Sequence, residues 1–179
     1  MGKLTVTKDP TRVINMQTMD AAWSRALRDP SLRDLPYKIE TNEYGQLVMS
    51  TRKLMHGFIK VRIGEALLSR VTSPGESAIS FAVETSKGVK VPDVVWMSEE
   101  RWRLIPDDAE ASPFAPEICI EVISDSNTRA EIDEKRRLYF EGGALEVWTC
   151  DMKGRIRFFD PDGEITTSSL VPSLPDHVE

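Results

Sequence analysis

Two acidic residues stand inside apolar runs of the chain, where a charged side chain needs a chemical partner. Asp93 follows Pro92 within VKVPDVVWM, and Glu121 lies within EICIEVIS. A buried carboxylate costs free energy unless a cation or a hydrogen bond compensates for the lost water. Both runs are typical of neighbouring sheet strands, so the two carboxylates could face each other across a metal ion that prefers oxygen ligands. Asp93 and Glu121 are therefore candidate metal ligands.

A lysine on the next predicted helix supports the same site. Within RAEIDEKRRLYF, Lys135 lies three residues after Ile132 and four before Tyr139, on the inward stripe of the helix. A buried ammonium is unfavourable alone, so carboxylates or a phosphate nearby would explain its position. Such a lysine could orient a water molecule or stabilise charge on a reacting phosphate.

Each of these three residues also has an ordinary interpretation. An Asp after Pro often only forms a turn. Glu121 could face water from an edge strand, and Lys135 could extend along the flank of its helix to keep its ammonium in water. Two acids on neighbouring strands and one inward lysine on the following helix nevertheless favour convergence on one site.

The elements that would position these residues follow from the hydrophobic pattern and the turn residues. The prediction is a mixed α/β sheet domain. Its elements are a helix at residues 19–29, a hairpin at 37–50 with its turn at Gly45, a helix at 54–71, strands at 77–84, 89–97 and 117–124, a helix at 128–142 that opens with a capping box, and a hairpin at 145–160. The stretch at 98–117 is predicted as a loop that can hold one helical turn at its start.

Length and composition indicate a single domain over residues 1–179, with a helical cover at 1–35 and a C-terminal tail at 160–179. No apolar run approaches the ~20 residues that span a bilayer, and the start lacks the apolar segment of a secretory signal. We therefore expect a cytoplasmic protein without a membrane partner.

Several other classes of site lack their sequence signals. The net charge of -6 argues against unspecific attachment to phosphate backbones. His56 and His177 have no cysteine or acidic neighbours at zinc spacing, and Cys119 and Cys150 lie in apolar runs, where a free cysteine acts as a small hydrophobe. The glycine-rich motifs of dinucleotide, P-loop and α/β-hydrolase sites do not occur.

Motifs along most of the chain resemble a known family. They are VPDVVWMSEERW at residues 91–102, PEICIEVISDSNTRAEIDEKRRLYFEGGALEVWTCD at 116–151, and, further back, KIETNEYGQLVMSTRKLMHG at 38–57. The chain resembles the putative restriction endonuclease domain family of Uma type, within the PD-(D/E)XK nuclease superfamily. The similarity covers roughly residues 15 to 170 and depends on the ordered set PD, EVIS, EKRRLY and GALEVW.

This resemblance implies a restriction-endonuclease-like core, an αβββαβ mixed sheet flanked by helices, with an added N-terminal hairpin. Asp93 matches the motif aspartate and Glu121 the motif acid. The position two after Glu121 holds Ile123 instead of lysine, so the resemblance implies that Lys135 takes the lysine role from the helix. Glu40 matches the acid ahead of the hairpin glycine and is a further candidate ligand, although it could also be a solvated turn residue.

The expected activity is Mg²⁺- or Mn²⁺-dependent hydrolysis of DNA phosphodiester bonds, with Asp93 and Glu121 as the metal ligands and with Lys135 and Glu40 completing the catalytic set. Cutting both strands of a duplex favours a homodimer. The alternative is a catalytically silent nucleic-acid-binding or protein-interaction module on the same fold, and a non-nuclease hydrolase is a third possibility. His56 could touch substrate, but a role in ending the preceding loop is favoured; Glu65 is a weaker candidate.

Overall fold

The computed structural model describes residues 10–51, 54–124 and 127–178. The helices are α1 (Pro10–Arg28), α2 (Leu54–Leu68), α3 (Glu99–Trp102) and α4 (Arg129–Glu141), and a short 3-10 helix covers Pro30–Leu32. The strands are β1 (Tyr37–Thr41), β2 (Leu47–Thr51), β3 (Gly75–Ile79), β4 (Val83–Thr85), β5 (Gly88–Lys90), β6 (Val94–Ser98), β7 (Ile118–Val122), β8 (Glu146–Cys150), β9 (Ile156–Asp160) and β10 (Gly163–Ile165).

A mixed six-stranded sheet forms the centre of the fold, in the order β10-β9-β8-β7-β6-β3. Only β7 and β8 run parallel; the other neighbouring pairs are antiparallel. Since side chains alternate along a strand, Ile118 and Ile120 of β7 pack on one face with the buried residues of α2, whereas Cys119 packs on the other with Tyr139 of α4. The mixed α/β core and its flanking helices are confirmed.

Two predicted strands are interrupted. The strand expected at residues 77–84 breaks at Ser80, which has a φ of 55°, and β4 pairs with β5 in a separate two-stranded sheet. The strand expected at 89–97 breaks at Pro92, which has no N–H for a strand hydrogen bond. The prediction that Asp93 lies near the middle of a strand is therefore wrong: it immediately precedes β6.

The ends of the chain also differ from the prediction. The N-terminal helix already begins at Pro10, and residues 1–9 of the predicted cover lie outside the described residues. In this helix the Trp23 ring packs against Val89 and Val91, and its Nε1 donates to the Glu110 carbonyl at 3.0 Å. The tail contributes β10, which pairs with β9. That residues 1–179 form one domain stays a prediction.

The predicted N-terminal hairpin is present as β1 and β2, which pair with each other and form a sheet of their own. The turn uses Gly45 at a φ of 71°, a conformation that favours glycine. Among the described residues, no helix has both the length and the apolar character needed to cross a membrane. The hairpin is the part of the fold that carries Glu40 to the sheet.

Candidate active site

Backbone hydrogen bonds fix Asp93 at the point where β6 begins. Its N–H donates to the Ile120 carbonyl of β7 at 2.9 Å, and its carbonyl accepts from Ser80 N–H at 3.1 Å. Its side chain is almost fully buried, and Oδ2 accepts from the Val122 N–H at 2.9 Å. The Asp93 carboxylate is therefore held beside β7, the strand that carries Glu121.

Three carboxylates converge on the ammonium of Lys38. Its Nζ lies 3.2 Å from Asp93 Oδ1, 2.9 Å from Glu121 Oε2 and 3.7 Å from Glu40 Oε1. Lys38 and Glu40 are two residues apart on β1, so strand alternation directs both side chains to the same buried face. The hairpin thus delivers one cation and one acid to the other two acids.

The helix α4 delivers a second cation and a phenol to the same carboxylates. The Nζ of Lys135 lies 2.8 Å from Glu40 Oε1 and 3.2 Å from Glu121 Oε1. One turn later, the Tyr139 hydroxyl donates to Glu121 Oε1 at 2.6 Å. Glu40 Oε1 also accepts from the Val91 N–H at 2.9 Å. Both glutamates are therefore oriented by several donors.

The helix α2 contributes a third cation and an imidazole on the other side of Asp93. Lys60 Nζ lies 2.7 Å from Asp93 Oδ1, and His56 Nε2 lies 3.0 Å from Asp93 Oδ2. Residues four apart share a helix face, which explains why both side chains reach one carboxylate. Every oxygen of the Asp93 carboxylate consequently has at least two polar partners.

The ion pairs keep two of the buried acids, Asp93 and Glu40, charged. Burial alone would raise the pKa of Asp93, but the hydrogen bond with His56 and the charge of Lys38 hold it well below its usual value. Burial would likewise raise the pKa of Glu40, whereas Lys135 and Lys38 keep it below its usual value. These acids are carboxylates at neutral pH and are able to hold a cation.

The buried donors are kept protonated by the same contacts. Burial would lower the pKa of Lys38, but the charges of Glu121 and Asp93 outweigh burial and raise it. Burial raises the pKa of Tyr139 well above its usual value, and the nearby Glu121 charge adds to this shift. Lys38 is therefore a permanent cation, and Tyr139 a permanent hydrogen-bond donor, in this site.

The structure brings together the four residues named from the sequence, Glu40, Asp93, Glu121 and Lys135. Their catalytic role stays a prediction. Glu65 is exposed on α2 and lies outside this group.

Four further members of the cluster were not assigned to it from the sequence: Lys38, Lys60, His56 and Tyr139. The favoured role of His56 in ending a loop misses its contact with Asp93. Strand alternation from Glu40 could have indicated Lys38, and a four-residue helix step could have indicated Tyr139.

The donor set fits a divalent cation by its chemistry. Within residues 10–51, 54–124 and 127–178, no group of three or more His, Cys, Asp or Glu side chains is arranged to hold a metal ion. The ammonium of Lys38 instead lies among the oxygens of Asp93, Glu121 and Glu40. Mg²⁺ and Mn²⁺ prefer oxygen ligands such as carboxylates. These three carboxylates already surround one cation, the Lys38 ammonium. The residues present therefore fit such an ion.

A groove of about 820 Å³ lies between α4 and the strands β8 to β10, and neither the three carboxylates nor Lys38 and Lys135 line it. Arg136 stacks its guanidinium 3.9 Å from the centre of the Phe159 ring and pairs with Asp133 at 3.0 Å. Arg157 pairs with Glu164 at 2.5 Å. The groove thus presents arginines whose acidic partners a phosphate would have to replace.

Comparisons with known proteins concern the fold and the family of the chain. The fold is similar to the crystal structure of a putative nuclease belonging to DUF820 from Anabaena variabilis, with a TM-score of 0.64 and 16% identity over 79% of this chain and 86% of that chain. No curated protein matches the chain. The family model Uma2, described as putative restriction endonuclease, matches residues 31–175. The chain therefore belongs to the Uma2 family.

Proposed function

We propose that this protein is a Mg²⁺- or Mn²⁺-dependent endonuclease that hydrolyses DNA phosphodiester bonds at a PD-(D/E)XK-type site. The observation that supports this function best is the convergence of three buried carboxylates, from Glu40, Asp93 and Glu121, on one cationic atom. Membership in a family described as restriction endonucleases agrees with it.

In this proposal Asp93 and Glu121 hold the divalent ion, and Glu40 is an additional oxygen ligand. When bound, the ion supplies Lewis-acid chemistry, which activates water and offsets charge on the reacting phosphate. The Val122 N–H and the Lys60 ammonium restrict the rotation of the Asp93 carboxylate. Such preorganisation keeps ligand geometry fixed through the reaction.

Lys135 acts on the substrate side of the proposed site. Its Nζ is within 3.2 Å of Glu121 and is less deeply buried than Lys38, so it can approach a phosphate oxygen or orient the attacking water. A fixed cation at this position stabilises the charge that develops in the transition state. Tyr139 holds the Glu121 carboxylate through its hydroxyl and acts as a positioning residue.

Cleavage of supercoiled plasmid and labelled duplex DNA, with Mg²⁺, Mn²⁺ or EDTA, tests the proposal. Asp93→Asn and Glu121→Gln are expected to reduce the rate at least about 100-fold. The matched control is Glu65→Gln, which removes an exposed acid outside the site and should retain full activity. Equal rates in the control and the two site variants would refute the assignment, and matched RNA duplexes test the preference for DNA.

DNA is proposed to lie along the groove beside α4. The support is the position of two arginines, Arg136 and Arg157, in the groove wall. Phosphate contacts give an affinity that falls with salt, and each lost contact lowers the salt dependence by about one unit of slope. Arg157→Ala should therefore weaken binding for all duplex sequences alike. An unchanged salt slope would contradict this path.

A homodimer is the proposed assembly, with a second copy covering the outer face of α2. Exposed apolar side chains form a continuous stripe there: Leu54 is 81% and Phe58 53% exposed, and Val61 and Ile79 extend the same surface. Large exposed apolar patches mark interfaces. The same helix carries His56 and Lys60 into the site, so pairing through it would bring two sites together for a two-strand cut.

Sedimentation of Phe58→Glu and Leu104→Glu tests this assembly. Both variants place a charge on an exposed apolar residue, but Leu104 lies in the loop after α3 and is not one of the residues that line the stripe. We expect only Phe58→Glu to be monomeric. A monomeric unmodified protein, or the same change in both variants, would contradict the dimer.

The alternative function is a silent binding module, and one observation favours it: the ammonium of Lys38 already compensates the acids that would hold the metal. This module would bind DNA or a protein equally well with EDTA and with Mg²⁺ and would cleave no substrate. The cleavage assay therefore also separates the two functions.

A further inference from the structure

We propose that Lys38 is the residue that sets the cation affinity of this site, because its ammonium occupies the position that the divalent ion needs. This inference rests on the proposed function for the identity of the ion. It assigns to Lys38 the role of a tethered competitor, which must leave before the ion can bind.

The position of the ammonium carries the first step. Lys38 Nζ lies 2.9 Å from one oxygen of Glu121 and 3.2 Å from one oxygen of Asp93, and Glu40 is 3.7 Å away. An ion held by Asp93 and Glu121 would compete with the Lys38 ammonium for these two carboxylates. A second cation at that point would be repelled strongly, because the site is deeply buried and solvent screens its charges little. The two occupants therefore exclude each other.

The charge balance carries the second step. The cluster contains three carboxylates, Glu40, Asp93 and Glu121, and three ammonium groups, Lys38, Lys60 and Lys135. The acids are already neutralised by these lysines, and a divalent ion added without any displacement would leave a net positive, buried site. Uncompensated buried charge is unfavourable. Displacing one lysine ammonium from the cluster reduces this excess of positive charge.

The contacts of the three lysines show which one competes with the ion: among the described residues Lys38 contacts both Asp93 and Glu121, whereas Lys60 pairs with Asp93 and Lys135 with Glu40 and Glu121. Glu40 is fixed from the backbone by the Val91 N–H, and the next residue, Thr41, accepts from Lys90 Nζ at 2.7 Å and from the Val89 N–H at 2.8 Å. The Nζ of Lys38, in the part of the chain that the structure describes, contacts only the carboxylates themselves. Once an ion neutralises those carboxylates, nothing else there holds the Lys38 ammonium.

Lys60 provides a matched control. It is as deeply buried as Lys38 and also pairs with Asp93, at 2.7 Å, but it has no contact with Glu121. Lys38→Met and Lys60→Met remove the same charge from the same cluster and keep a linear apolar stem. A difference between them therefore reports the position of the lysine and not the net charge of the site.

The first test is calorimetric titration of Mn²⁺ and Mg²⁺ into the full chain and the two variants at constant ionic strength. We expect Lys38→Met to bind roughly tenfold or more tightly than the unmodified protein, and clearly more tightly than Lys60→Met. Equal affinities in the two variants, or weaker binding in Lys38→Met, would overturn the inference.

The second test follows the unmodified protein, so it does not depend on the folding of any variant. Reductive methylation followed by peptide mass spectrometry reports the accessibility of each lysine, with Lys60 as internal reference. Saturating Mn²⁺ is expected to increase methylation of Lys38 severalfold relative to Lys60. No increase at Lys38 would overturn the inference.

Plasmid cleavage measured on the same samples separates the inference from the proposed function. Tighter binding in Lys38→Met without cleavage by any form would leave the inference standing and refute the nuclease. Cleavage by the unmodified protein together with equal metal affinities in both lysine variants would support the nuclease and refute the inference about Lys38.

Discussion

The hydroxyl of Tyr139 provides the clearest test of how the site is held together. Tyr139 is fully buried, and its hydroxyl donates to Glu121 Oε1 at 2.6 Å. Tyr139→Phe removes this hydrogen bond and keeps the ring, so the loss of stability does not include the cost of a large cavity. A hydrogen bond to a charged group contributes about 1.5–3 kcal/mol.

The remaining contacts of Glu121 place the expected loss at the lower end of that range. Its Oε1 keeps Lys135 at 3.2 Å and its Oε2 keeps Lys38 at 2.9 Å, so no buried oxygen is left without a partner. We therefore expect Tyr139→Phe to lower the free energy of unfolding by about 1.5–2 kcal/mol.

Urea unfolding followed by circular dichroism measures this loss. The matched control is Tyr44→Phe, which removes the hydroxyl of a tyrosine that is 72% exposed and should change stability by less than about 0.5 kcal/mol. If Tyr139→Phe were as stable as Tyr44→Phe, the hydroxyl would not be supporting Glu121, and the reasoning about the site would fail.

Three further predictions concern the hairpin, the pH dependence and the lysine. Gly88 has a φ of 89°, and a side-chain carbon there would lie 2.6 Å from the Thr41 carbonyl oxygen. Gly88→Ala should therefore destabilise the fold by about 2 kcal/mol or more and weaken metal binding. Asp93 has a depressed pKa, so it stabilises the folded state above its ordinary pKa, and this contribution is lost as pH falls below about 4. The stability deficit of Asp93→Asn in urea should accordingly shrink between neutral pH and about pH 3. Ile123→Lys should restore part of the cleavage lost in Lys135→Met.

Gly143→Ala introduces a side chain at a φ of 95° with no atom within 4 Å of the new carbon, so it separates backbone strain from the clash at Gly88. Equal losses of stability in both glycine variants would show that backbone strain, and not the clash with Thr41 of the hairpin, causes the effect of Gly88→Ala. A constant deficit of Asp93→Asn across the acid range would contradict the charged state of Asp93.

Local signals predicted the best-defined parts of the fold. The Thr128 to Glu131 capping box forms as expected and starts α4 at Arg129. From that start, the apolar stripe sets the inward phase of the helix, and Lys135 lies on it. The β1–β2 hairpin likewise follows from its turn glycine and strand pattern. These features depend on residues close in sequence, so one sequence is sufficient to predict them.

The interrupted strands and the lysine cluster depend on distant residues. Residues 77–84 and 89–97 have continuous strand patterns, but the chain leaves the six-stranded sheet at Ser80, builds the separate β4–β5 sheet, and returns after Pro92 as β6. Lys38 lies 83 positions from Glu121, which it contacts. Strand alternation within KIET indicates the face on which Lys38 lies, but not that its partner is Glu121. The position of a buried lysine of this kind can be explained only when the acids that compensate its charge have been located in the fold.

The predicted lysine role of Lys135, in place of a lysine at position 123, can be tested at the end of β7 and on α4. Ile123 directly follows the last residue of β7, two residues after Glu121, and it lines the groove between α4 and β8 to β10. A lysine at either position could bring its ammonium to the same side of the Glu121 carboxylate.

Lys135 already does so from the helix, at 3.2 Å. In Lys135→Met the cleavage rate should fall at least about 100-fold, as expected for one lost electrostatic stabiliser. Adding Ile123→Lys should recover at least tenfold of this loss, whereas Ile123→Met in the same background should recover nothing. If Ile123→Lys and Ile123→Met both restored cleavage, or if neither did, the contribution of Lys135 would not be a positive charge beside Glu121.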